Sequence, residues 1–120
     1  MSEIIYLTDV AVITCVVDKQ HSDAVLVAAR DMGARGAIVH SAQGWGIRER
    51  LGALGVAVET ERDIIEFLVS SDQQDLVFEA IFQTAGLDAP GRGFMYISSV
   101  DRAATYVPEA VRKQLDAELE

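Results

Sequence analysis

A pattern that occurs twice constrains this chain more than anything else in it. Residues 17–41 and 69–98 each read as the end of a strand, a Ser-Asp pair, a helix closed by glycine, and a second strand. The Ser-Asp pairs are Ser22-Asp23 and Ser71-Asp72, and the closing glycines are Gly33 and Gly86. Serine suits a helix N-cap, aspartate complements the positive end of the helix dipole, and glycine enters a left-handed C-terminal turn without a Cβ penalty. In the second copy Ser71 and Gln74 stand at capping-box spacing. Two such halves interleave as a ferredoxin-like α+β sandwich, βαββαβ, with four antiparallel strands and both helices on one face.

The expected strands are residues 10–17, 37–41, 63–69 and 94–98. The first, Val10-Ala11-Val12-Ile13-Thr14-Cys15-Val16-Val17, is apolar almost without a break, which suits burial on both faces. In the third, Ile65, Phe67 and Val69 share one face, while Ile64, Glu66 and Leu68 share the other. Helices cover one face only, so the apolar residues left on the other predict assembly of copies through the sheet. Residues 1–9 form a short lead, and residues 108–120 a C-terminal helix opened by Pro108 and striped by Val111, Leu115 and Leu119. With half of its 120 residues hydrophobic, the chain has material for one packed core, hence a single domain over 1–120.

The net charge of −9 argues against a nucleic-acid partner, which requires clustered Lys and Arg, and against an anionic membrane surface. No stretch approaches the ~20 apolar residues of a membrane span, and no secretory leader is read, so a soluble cytoplasmic protein without membrane insertion is expected. Cys15 is the sole cysteine and reads as a small buried hydrophobe. The sequence has no Asn, which removes the water-positioning partner of an acylphosphatase-type mechanism. A copper chaperone of this fold needs two closely spaced cysteines. His21 and His40 lack metal-ligand spacing, and His40 reads as a structural histidine. Ser70, Ser71, Ser98 and Ser99 fall where caps and turns explain them. No nucleophile stands with a base. The expectation is a protein that is not an enzyme and holds no metal.

Glycine-rich backbone remains at two places, Gly44-Trp45-Gly46 and Gly91-Arg92-Gly93. Bare N–H groups in such turns form anion-binding concavities, and Arg92 adds a bidentate cation. In this fold and this order, the motifs resemble the PII signalling proteins, trimeric cytoplasmic sensors of nitrogen and carbon status, and their divergent PII-like relatives. The resemblance runs from Val10 to about Val107. Gly33-x-x-Gly36 followed by Gly44-Trp45-Gly46 looks like the hinge of the family's T-loop, and Gly91-Arg92-Gly93 looks like its phosphate-wrapping B-loop.

That resemblance implies a homotrimer with an adenine nucleotide between subunits. The base would be lined by Val16, Ile38, Glu66 and Leu68. The phosphates would lie against Gly44, Gly46 and Arg48, around Trp45, and against Gly91, Arg92 and Gly93. Residues 44–58 would form the T-loop-like excursion, mobile without ligand, with residues 47–58 docking on a membrane transporter or metabolic enzyme.

Departures refine the reading. The family's lysine after the B-loop is Phe94 here, and the late strand that should carry two arginines reads Thr105-Tyr106-Val107. The excursion is shorter than in the nitrogen regulators and has no tyrosine to modify, and the Lys-Pro-Phe of the first strand is Asp18-Lys19-Gln20. With cations missing from the terminal phosphates, AMP, ADP or a cyclic adenylate is expected to be favoured over ATP. Two alternatives stay open. An ACT-like amino-acid sensor would bind at the turn Asp18-Lys19-Gln20-His21, which lacks the usual glycine. A CutA-type metal-tolerance protein would need a His or Cys cluster.

Overall fold

The computed structural model describes residues 4–34, 36–44, 60–111 and 113–114, and of Gln43, Gly44 and Thr60 the backbone. A short strand β1 (Tyr6–Leu7) leads into β2 (Val10–Asp18), a 3-10 turn (Lys19–His21) and helix α1 (Ser22–Asp31). Strands β3 (Ala37–Gly44) and β4 (Thr60–Ser70) follow, then α2 (Gln74–Ala85), β5 (Gly93–Val100) and β6 (Ala103–Ala104). The main sheet has the order β3-β4-β2-β5, antiparallel throughout. This is the ferredoxin-like α+β arrangement expected from the repeat, with β2 and β4 at the centre.

Burial alternates along β2 as the pleat requires, save that Thr14 on the other face is buried too. Ala11, Ile13, Cys15 and Val17 face the helices and are buried together with Ile65, Phe67 and Val69 of β4. Val25 and Ala29 of α1, and Val77, Ile81 and Ala85 of α2, complete that core. The opposite face carries Val12, Thr14 and Val16 of β2 beside Ile64, Glu66 and Leu68 of β4. No helix among the described residues is long and apolar enough to cross a membrane.

Several expectations at the element ends are corrected. Strands β3 and β4 extend to Gly44 and Thr60, which pair directly, so the hairpin is longer than residues 37–41 and 63–69. Strand β5 runs from Gly93 to Val100, which puts Ser98 and Ser99 inside a strand rather than at its end. The lead does not extend β2: Tyr6 and Leu7 pair with Ala104 and Ala103 in a separate ribbon, and Tyr6 lies under the Arg102 guanidinium at 5.1 Å. Residues 109–111 and 113–114 are helical, with Lys113 paired to Glu109 at 3.7 Å, and the remainder of the expected 108–120 helix lies outside the described residues.

Neither serine caps its helix. Ser22 is already helical, and its hydroxyl donates to the buried Asp63 at 2.5 Å, a stronger acceptor than a cap can offer. The N-cap position belongs to His21, the last residue of the 3-10 turn. At α2 the capping box is not formed: Ser71 N–H donates to Asp9 C=O at 2.9 Å, and the helix starts at Gln74 behind Gln73. The glycine stops are as read, with Gly33 at φ 113° and Gly86 at φ 64°.

Gly93 is the tightest point of the sheet. It pairs with Val17 at φ 134°, and a Cβ there would stand 1.9 Å from the Val16 carbonyl oxygen. Backbone against backbone cannot give way. We predict that Gly93→Ala lowers the unfolding free energy by at least about 2 kcal/mol, from the left-handed strain alone before the clash is added. Gly36→Ala is the matched control, because nothing lies within 4 Å of its Cβ position, and it should change stability by less than about 1 kcal/mol. Urea denaturation of the two variants measures both.

Candidate functional site

The helix-free face of the sheet is apolar and open. Ile38 is 58% exposed, Leu68 46%, Phe94 55% and Tyr96 50%. Register brings three of the four expected base-lining residues together: Ile38 lies opposite Glu66, and Leu68 opposite Val12. Around them runs a groove of about 600 Å³, walled by Val12, Ile38, Glu66 and Leu68 and floored by Gly36, Ala37 and Phe67. Among the described residues, Glu66 is the one ionisable side chain lining it. A flat apolar ligand edged with N–H donors matches such a slot. Val16, the fourth residue, lies elsewhere. It faces Phe94 and Ile64, four residues along β2 from Val12 or roughly 13 Å.

The second cluster sits at that far end of β2. The chain leaves α2 through Gly86 and turns over residues 86–92, with Gly91 at φ 76° and Gly93 locked against Val16. Arg62 holds the turn in place. Its Nη2 donates to Gly91 C=O at 3.2 Å, and its Nη1 lies 3.7 Å from Asp18 Oδ1. Arg62 is only 6% exposed and was not visible as a site residue in the sequence. The signal that could have found it is its place directly opposite Asp18, which becomes apparent once β2 and β4 are in register. Arg92 does not point freely from the turn. Its Nη2 donates to His21 Nε2 at 2.5 Å, and its guanidinium lies over Gly86.

Phe94 and Tyr96 stack at 6.4 Å with 17° between their planes, beside Val16 and Thr14 on the open face. The position where the resemblance leads one to look for a lysine is thus half of an exposed aromatic ledge. Gly44 ends β3 opposite Thr60, while Trp45, Gly46 and Arg48, and the docking segment 47–58, lie outside the described residues. His40, read as a structural histidine, stands exposed on the open face opposite Ile64 instead. Among the described residues no three His, Cys, Asp or Glu side chains gather as a metal site.

The two clusters do not meet within one chain. Ile38 on β3 and Gly93 on β5 are separated by three strand spacings, about 14 Å, before any offset along the strands.

No protein-family model matches the chain, and no curated protein does. Among solved structures it is similar to PII from Arabidopsis thaliana, determined bound to citrate, with a TM-score of 0.61 over 78% of this chain and 79% of that one. The chain has the PII fold. Identity over the match is 21%, so the likeness is one of architecture. Within the PII fold, residues 45–59 fall between the second and third strands of the main sheet, where the sequence resemblance expects the T-loop. The turn at 86–92 falls between the second helix and the last main strand.

Cys15 lies in the core behind this site with none of its surface exposed. Burial pushes its thiol from 9.0 up to about 12, so it is neither a nucleophile nor a redox group in the folded chain. A raised folded value means that the contribution to stability is full below about pH 9, where both states are protonated, and drains away as pH climbs toward 12. We predict no labelling by a thiol reagent at pH 8 until the chain unfolds. Above pH 9, wild type should lose stability faster than Cys15→Ala, by roughly 1 kcal/mol per pH unit, as read from denaturant midpoints.

Proposed function

We propose that this protein is a PII-like signalling protein, without catalytic activity, that binds an adenine nucleotide between the subunits of a homotrimer. The observation that carries the reading is the split site. A base-sized groove holding Glu66 and a glycine-rich turn beyond the far end of β2 stand apart in one chain, and assembly of copies can bring one of each against a single ligand. The face has the composition for it, with Ile38, Leu68, Phe94 and Tyr96 all close to half exposed or more. In the assembled site, the Glu66 carboxylate accepts from the exocyclic amine of adenine, while Ile38 and Leu68 cover its rings. Backbone N–H groups at Gly91 to Gly93 and the Arg92 guanidinium receive phosphate oxygens. Residues 44–58 follow β3 at the end nearer the Gly93 turn, six residues along from Ile38 and the groove. Ligand occupancy there changes how residues 47–58 dock on a transporter or metabolic enzyme.

Phe94 in place of a cation, and no basic residue at Thr105 to Val107, leave the outer phosphates of ATP without partners. AMP, ADP or a cyclic adenylate is therefore favoured. Sedimentation equilibrium should give a trimer at micromolar concentration, and a monomer there overturns the assembly. Calorimetry should show AMP, ADP or cyclic AMP binding at least as tightly as ATP. Arg92→Ala should weaken them by about 1.5–3 kcal/mol, the worth of a charge-assisted hydrogen bond. Tight, magnesium-dependent ATP binding with no response to AMP or ADP would refute the preference.

A further inference from the structure

Arg92 is the cation that the proposed site depends on, yet it is turned away from the ligand face. Its Nη2 meets His21 Nε2 at 2.5 Å, joining the turn before α1 to the turn after α2. A guanidinium offers only donors and does not lose its proton. His21 Nε2 is therefore the acceptor, the imidazole is neutral, and its own proton sits on Nδ1. Two atoms are left over in this arrangement. His21 Nδ1 and Arg92 Nε are both buried, and neither has a hydrogen-bond partner among the described residues. The guanidinium itself lies over Gly86, where a Cβ would stand 3.2 Å from Nη2.

Several neighbouring charges are committed elsewhere, while Asp88, on the same turn as Arg92, stands exposed. On the same turn, Lys19 pairs with Glu61 of β4 at 3.7 Å. At the end of β2, Asp18 pairs with Arg62 of β4, and Arg62 also holds Gly91 C=O. Asp63 of β4 accepts from Ser22 and Ser41. Asp23 stands exposed in the first turn of α1. Between Arg92 and His21 there is thus one acceptor lone pair, and it is the lone pair that protonation removes.

We propose that His21 is a proton-operated latch on Arg92. Neutral, it holds the guanidinium back over Gly86. Protonated, it loses its acceptor and repels the guanidinium, which swings out to meet an anion at the Gly91–Gly93 turn. The inference rests on the reading that this turn receives the ligand's phosphate. Binding and protonation then favour one another, and each must strengthen the other by the same factor. The two orphaned buried atoms regain partners when the latch opens, so the folded-back state gives way readily.

The test uses the full chain and cyclic AMP, whose phosphodiester keeps a single charge across the range in which an imidazole titrates, about pH 8 to pH 5.5. Wild-type affinity should rise roughly tenfold over that interval, the size expected when a competent state is freed from a competing one. His21→Ala should bind at the low-pH strength throughout, and His21→Gln, whose amide oxygen accepts without titrating, should stay weak throughout. A wild-type affinity that is flat or falls with decreasing pH overturns the latch, as does His21→Ala following the wild-type slope. A ligand-free measurement separates this from the nucleotide reading. The Arg92 Cζ shift, read by 13C detection and assigned with Arg92→Lys, should move between pH 8 and pH 5.5 in wild type as the Nη2–His21 bond is lost, and stay in place in His21→Gln; an unmoved wild-type shift overturns the latch. If cyclic AMP bound no variant, the nucleotide reading would fall and this signal alone would decide the latch.

Discussion

Strand β2 is paired along nearly its whole length on both sides, to β4 from Val10 to Asp18 and to β5 from Val10 to Val17. Every other part of the main sheet takes its position from that strand. Its helix-facing residues, Ala11, Ile13, Cys15 and Val17, are buried to 3% exposure or less, so a one-residue slip would exchange them for Val12, Thr14 and Val16 on the open face. Both sets are largely apolar, and alternation alone would not forbid that slip. What fixes the register is at the end of the strand. Gly93 has no Cβ and fits against the Val16 carbonyl, Asp18 meets Arg62, and Asp63 accepts from Ser22 and Ser41. Polar and steric specificity at one edge supplements a hydrophobic pattern that is permissive in the middle.

The same concentration of constraints places the candidate anion turn. Arg62 ties Gly91 to the sheet, Gly93 is clamped by β2, and Arg92 between them is the residue left able to change partner. At the other end of the open face nothing comparable occurs. The groove beside Glu66 is walled by side chains of three strands and lies open above, which suits a ligand whose remaining contacts come from another copy.

The fold was legible because the repeat, the doubly apolar Val10 to Val17 run and the glycines at 33 and 86 are local signals, each tied to one element. The grouping of Ile38, Glu66 and Leu68 was legible only through resemblance, since the spacing from Ile38 to Glu66 and Leu68 means nothing until β3 and β4 are in register. Val16 was grouped with them by the resemblance, although the register sets it four residues along β2 from Val12. The serine caps failed for a tertiary reason. Asp63, distant in sequence, offered Ser22 a buried charged acceptor, and Asp9 took the Ser71 amide. Arg62 went unread for the same cause, as did the Arg92–His21 contact, which spans 71 positions.

The β3–β4 hairpin closes on Gly44 and Thr60, which face each other across the ladder. Directly opposed residues of an antiparallel pair lie about 4.5–5.5 Å apart. Whatever sequence is spliced between those two positions, its ends are already brought together by the sheet, and the entropy of joining them has been met by strand pairing. Doubling such a connection adds only about 0.6 kcal/mol. The fold therefore treats this stretch as a socket: its contents can be lengthened, trimmed or rewritten for a new partner while the core, the groove and the anion turn keep their geometry.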